Sequence, residues 1–219
     1  KHNFGAGPSI LPQEVFEQSA QACLDYKGIG LSILEISHRS KEFTAVLEES
    51  IELIKELLNV PDDYTILFLQ GGANMQFNMI PYNILNDDET VNFVETDIWS
   101  TRAEEETRLY GKTRIIASSK DSQFKFIPKD FSVDADATYL HLTSNNTIYG
   151  TEFFEDKAYP VPVVCDMSSD IFSRPLDVSK YHLIYAGAQK NLGCSGITLV
   201  IIKNEWLGRA KRAKSKMWD

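Results

Sequence analysis

The chain has 219 residues, 43% of them hydrophobic, and a formal net charge of −9. That is length and apolar content enough for one large core. The acidic balance and dispersed Lys and Arg leave no basic face for nucleic acid or an anionic membrane, and no apolar run reaches the roughly 18 residues that a membrane span needs.

The first predicted element is a helix over residues 11–26, where Val15, Phe16, Ala20, Cys23 and Leu24 recur at helical spacing, with Pro12 suited to a first turn and Gly28 beyond the end. A longer helix is expected over residues 40–58. Phe43, Val46, Leu47, Ile51, Ile54, Leu57 and Leu58 form its apolar face, and Pro61 stops it. Residues 64–69 are a short apolar run, followed by Gly71-Gly72 and a helical stretch over 73–85, which reads as strand, glycine turn and helix.

Strands then follow at residues 90–94, 114–117, 138–142, 161–165, 182–185 and 197–202, with a further helix over 100–110. Apolar strands without polar alternation are buried on both faces, and strands interleaved with helices give a mainly parallel sheet covered on each side. The fold class is therefore α/β. The basic run over residues 209–216 is read as a solvated helix end in preference to a binding patch. Cys23, Cys165 and Cys194 lie far apart with no CxxC spacing, so neither a disulfide framework nor a metal site is expected, and a reducing cytoplasm fits best. No apolar core for a signal peptide stands in the opening residues.

In open α/β sheets ligands bind beyond the carboxyl ends of strands, and three features fall there. Gln70-Gly71-Gly72-Ala73-Asn74 opens a helix after a strand, where glycines admit an anion and free N–H groups bind it, although such a turn is often only a turn. Asp166 ends an apolar run; a buried carboxylate needs a cationic or hydrogen-bonding partner, and a protonated pyridine nitrogen or the turn Met167-Ser168-Ser169 would each serve. Lys190 follows another apolar run among Ala186, Gly187, Ala188 and Gly193, a setting in which an amine can be deprotonated enough to condense with an aldehyde. A phosphate turn, a carboxylate at one strand end and a lysine at another are what a pyridoxal phosphate site requires.

Tyr185-Ala186-Gly187-Ala188-Gln189-Lys190-Asn191, with Asn3-Phe4-Gly5-Ala6-Gly7-Pro8, Glu35-Ile36-Ser37-His38-Arg39-Ser40 and Asn145-Asn146-Thr147-Ile148-Tyr149-Gly150, resembles the phosphoserine aminotransferase family of fold type I pyridoxal phosphate enzymes. The resemblance implies that Lys190 is the Schiff-base lysine and the proton shuttle, and that Asp166 keeps the pyridine nitrogen protonated. Trp99 would stack on the cofactor ring and Thr147 would stand near its phenolic oxygen. Ala73, Asn74 and Gln189 would bind its phosphate, and His38 and Arg39 would face the anionic groups of the substrate.

Some members carry arginine where this chain has Asn74, so one positive contact is missing here or comes from elsewhere. The implied reaction moves an amino group between glutamate and 3-phosphohydroxypyruvate. Residues 1–219 correspond to the large cofactor-binding domain with its N-terminal segment. The family's smaller C-terminal domain, which supplies a substrate-binding arginine, and its phosphate contacts across a homodimer interface are absent from these residues. Another transaminase or a cysteine desulfurase of the same fold, and an inactive cofactor-domain fragment, are the alternatives.

Overall fold

Seven strands and four helices carry the sequence pattern into three dimensions in the computed structural model, which describes residues 2–212 and 215–219. In chain order these are α1 (Gln13–Leu24), α2 (Lys41–Leu58), β1 (Tyr64–Leu69), α3 (Gly72–Ile84), β2 (Thr90–Glu95), α4 (Ile98–Thr107) and β3 (Lys112–Ser118). β4 (Tyr139–Thr143), β5 (Val163–Asp166), β6 (Leu183–Gly187) and β7 (Thr198–Lys203) follow. The strands form one sheet in the order β1-β7-β6-β5-β4-β2-β3. The run from β6 to β3 is parallel, and β7 is antiparallel to both its neighbours. The mainly parallel α/β fold expected from the sequence is therefore present.

The central strands explain why the apolar runs do not alternate. Every residue of β4, β5 and β6 is buried. Leu140, Leu142, Ile184 and Ile201 point to one face, where Ile54 and Leu58 of α2 pack on them. Tyr139, Val164, Tyr185 and Val200 point to the other, under Phe77, Ile80 and Ile84 of α3 and Ala103 of α4. At the sheet edge β3 is largely exposed and carries Lys112 and Arg114, charges that discourage pairing with another strand.

The helix ends follow local chemistry. Ser40 caps α2 by accepting from the Phe43 N–H at 3.2 Å, and Asn59 closes the helix in a left-handed conformation two residues before Pro61. Asp97 caps α4 in a reciprocal box: its carboxylate accepts from the Ser100 N–H at 2.7 Å, and the Ser100 hydroxyl accepts from the Asp97 N–H at 3.0 Å.

Helix α1 stands where the sequence places it but without the packing of the other helices, and the basic run departs from its expectation. The helix buries none of its residues, and Phe16 and Leu24 stand 52% and 78% exposed. Periodicity fixes which residues share a face, but burial requires a partner surface. The basic run is not a helix end. Arg209 forks onto Glu89 at 2.8 and 2.7 Å, while Arg212 donates to the carbonyls of Leu85 and Tyr110. These arginines pin an irregular segment to the loops after α3 and α4; Ala213 and Lys214 of the same run lie outside the described residues. No helix is long and apolar enough to cross a membrane among the described residues.

Candidate active site

The carboxyl ends of β4, β5 and β6 and the N-termini of α3 and α4 meet around a cleft of about 510 Å³, lined by Ala73, Asn74, Trp99, Thr147, Asp166, Gln189 and Lys190 together with Thr143, Asn145 and Ser168. A larger cleft of about 1070 Å³ lies between α3 and the β1–β7 end of the sheet, against Leu67, Met79, Val200 and Trp206. Its mostly apolar wall holds no set of converging polar groups, so size does not identify the site; chemistry does.

Asp166 is the last residue of β5 and only 4% exposed. One carboxylate oxygen accepts from the Ser168 N–H at 2.9 Å and from the Ser168 hydroxyl at 2.6 Å. That hydroxyl in turn accepts from the Gly187 N–H at 3.0 Å, tying β5 to the end of β6. The carboxylate thus serves the turn, one of the two partners weighed from the sequence, while also lining the cleft. Burial pushes its pKa up, against the lowering effect of Ser168, Lys190 and Tyr185. A cation placed against Asp166 would offset that desolvation.

Lys190 lies in the tight turn after β6, closed by a bond from the Gly193 N–H to the Ala188 carbonyl at 2.7 Å. Its ammonium donates to the Thr147 hydroxyl and stands 5.8 Å from the centre of the Trp99 ring. Burial lowers its pKa, and it prevails over the opposing pull of Asp166, Asp97 and Asp170. A lysine so placed is a better nucleophile than a solvated one.

The anion-binding end is built by α3. Gly71 takes φ +91° at its N-cap, and a Cβ there would fall 2.5 Å from the Met75 sulfur, so only glycine makes this turn. No side chain caps the helix, which leaves its first N–H groups, at Gly72, Ala73 and Asn74, free for an anion in the cleft. Trp99 enters from the first turn of α4, whose start is fixed by Asp97, and Arg102 lies over its ring at 5.1 Å. Thr147 sits in the loop after β4, held by bonds from the Asn146 N–H to the Thr151 carbonyl at 2.8 Å and from the Asn146 amide to the Thr151 hydroxyl at 2.6 Å.

Seven of the nine site residues singled out from the sequence therefore line one cleft: Ala73, Asn74, Trp99, Thr147, Asp166, Gln189 and Lys190. His38 and Arg39 do not. They are exposed in the turn before α2 and are not among the residues that line the cleft. Sequence reasoning missed Thr143 and Asn145 as lining residues, and it read Ser168 only as part of a turn. The spacing of Asp166 and Ser168, an acid followed two residues on by a donor, was the available signal for a carboxylate oriented by its own turn.

The aminotransferase class-V family matches residues 1–216. The phosphoserine aminotransferase of Bacteroides fragilis is 56% identical over 212 residues, covering 97% of this chain and 59% of that protein. The solved phosphoserine aminotransferase from Bacillus circulans subsp. alkalophilus gives a TM-score of 0.87 at 46% identity, covering 93% of this chain and 57% of that one. A phosphoserine aminotransferase from Trichomonas vaginalis, solved with pyridoxal phosphate bound, gives a TM-score of 0.90 at 33% identity over 99% of this chain and 61% of that one. The chain spans about 60% of the length of the relatives it matches. By the match over nearly all of its residues, it belongs to the class-V aminotransferase family.

Proposed function

We propose that residues 1–219 are the large, cofactor-binding domain of a pyridoxal phosphate-dependent phosphoserine aminotransferase. It moves the amino group of L-glutamate to 3-phosphohydroxypyruvate, giving O-phospho-L-serine and 2-oxoglutarate in serine biosynthesis. The observation that carries this reading is the convergence of Lys190, Asp166, Trp99 and the uncapped start of α3 on one cleft.

Pyridoxal phosphate, when bound, supplies an aldehyde that exchanges amines and a ring that withdraws electrons from the carbon being deprotonated. Lys190 holds it covalently and, once released, carries the proton to and from the substrate α-carbon. Asp166 keeps the pyridine nitrogen protonated, and the pairing offsets the burial of its carboxylate. Trp99 covers one face of the ring and excludes water from it. Thr147, already bonded to Lys190, stands at the ring's phenolic oxygen, and Ala73, Asn74 and Gln189 hold the phosphate.

His38 and Arg39 bind the substrate's anionic group, a role that requires their exposed turn to face the cleft in the assembled enzyme. The unburied faces of α1 and α2, where Phe16, Leu24, Leu47, Leu53 and Leu57 are all exposed, support a homodimer in which further protein covers them, and the free Cys23, Cys165 and Cys194 suit a reducing cytoplasm.

An absorption spectrum tests the cofactor and the lysine together. Borohydride is expected to fix the bound cofactor to Lys190, and glutamate to shift its band. The substrate assignment rests on Arg39: the Arg39→Ala variant should raise KM for the phosphorylated oxo acid by about 10- to 100-fold, the worth of a charge-assisted contact. An unchanged KM would remove the phosphorylated substrate from this proposal.

A further inference from the structure

The opening motif, Asn3 to Pro8, carries the family resemblance but has no part in the reading above. The structure places it against the lysine turn. The Ser9 N–H donates to the Gln189 carbonyl at 2.9 Å, and the Ser9 hydroxyl donates to the Lys190 carbonyl. Both carbonyls lie past the end of β6, beyond the sheet ladder that would otherwise hold them. Gly7 passes beside the lysine stem with little room to spare. A Cβ added there would stand 3.2 Å from Lys190 Cγ and 3.6 Å from Gln189 Cγ, so the stem would have to give by a few tenths of an ångström. The N-terminal residues before Ser9 are otherwise exposed, Phe4 at 94%.

Ser9 thus holds the turn at two carbonyls, those of Gln189 and Lys190, while Gly7 leaves beside the lysine stem the room that a Cβ would take. A lysine side chain has about 2 kcal/mol of rotamer freedom to lose on being ordered. A nucleophile whose rotamer is already fixed loses less of that freedom when it reacts. Here the fixed end is the ammonium at Thr147 and beside Trp99.

We propose that Gly7 and Ser9 are positioning residues, and that the N-terminal segment braces the turn of Gln189 and Lys190 so that the lysine meets the cofactor aldehyde in one rotamer. This inference rests on the reading of Lys190 as the cofactor-bonding lysine. The bond concerned forms when the Lys190 amine attacks the aldehyde carbon and water leaves. Gly7 and Ser9 touch neither reacting atom and act only through the position of the amine.

The test uses the cofactor-loaded full-length protein with the substitutions Ser9→Ala, Ser9→Thr and Gly7→Ala. After the cofactor is stripped, pyridoxal phosphate is added back, and the rate at which the bound-cofactor absorption band returns is read, together with the thermal midpoint of the stripped protein. Ser9→Ala should slow recovery about threefold to tenfold, the worth of one hydrogen bond. Gly7→Ala should slow it as well, Ser9→Thr should restore it, and the thermal midpoints should stay together.

Recovery at the wild-type rate in both Ser9→Ala and Gly7→Ala overturns the proposal. So does slow recovery that tracks a lowered thermal midpoint and is not rescued by Ser9→Thr, which would mark the segment as merely structural. Failure of borohydride to fix the cofactor at Lys190 in the wild type overturns the reading beneath, and it is seen before any variant is made.

Discussion

The sheet and the N-terminal helices are both rich in apolar residues and end in opposite states. β4, β5 and β6 bury every residue they contain, whereas α1 buries none and α2 buries only Ile54 and Leu58. Both regions carry the apolar residues of packed elements, as unbroken runs in the strands and at helical spacing in the helices. The difference is that the sheet receives α3, α4 and the end of α2 on its faces, while little within the described residues covers the rest of the N-terminal arm. An apolar stripe is a statement about which residues face one way; burial is a statement about what lies opposite. The cleft belongs to the buried region, because its residues stand at strand and helix ends whose positions the core fixes. The N-terminal arm joins that region through Ser9, at the lysine turn.

The comparison can be broken most severely at the cleft itself. Lys190→Ala should lower amino transfer by about 10³-fold or more and abolish fixation of the cofactor by borohydride, while leaving the thermal midpoint of the stripped protein close to wild type. A large loss of folding together with activity would mean that the cleft and the core are not separable. Packing offers the next contrast. Ile184, 0% exposed in β6, should cost about 2–5 kcal/mol when replaced by Ala, measured by denaturant unfolding. Leu24→Ala, at a residue 78% exposed in α1, should cost less than about 0.5 kcal/mol in the same chain. A comparable cost at both positions would show that α1 is covered in solution.

How much of this was legible in the sequence depended on the range of the interaction. Strands β1 to β7 and the four helices were readable because apolar runs and helical spacing are local signals. Asp166 and Lys190 were readable because each ends an apolar run, where the crevice of an α/β sheet opens. Trp99 and Thr147 were not derivable from such signals, since a tryptophan near a helix start is as easily a core residue, and the family resemblance supplied them. The contact of Gly7 and Ser9 with Lys190 was invisible to local reading; its partners are some 180 residues apart, and nothing in the opening motif names the turn it meets. The exposure of α1 was equally hidden, because the face is written in the helix and its cover is not.

A last contrast probes whether the buried region is itself unstrained. Asp97 is fully buried, and while one of its carboxylate oxygens caps α4, the other has no hydrogen-bond partner among the described residues. Burial pushes its pKa up to about 6, opposed by the bonds from Ser100, reinforced by the neighbouring charge of Asp166 and opposed again by the Trp99 N–H. An acid whose folded pKa lies above its unfolded value, near 3.9, binds more protons folded than unfolded between those values. Its contribution to stability therefore falls as pH rises from about 4 to 6, and the penalty persists above that window. Asp97→Asn keeps the cap, since Asn serves an N-cap as well as Asp, and removes the buried charge. At pH 7.5 the variant without cofactor should be about 1–3 kcal/mol more stable than wild type, and the two should converge toward pH 4, measured as denaturant midpoints across that range. A variant less stable at every pH would mean that the amide leaves its own donors unpaired in the same space, and that the charge at the start of α4 is compensated more fully than its unpartnered oxygen indicates.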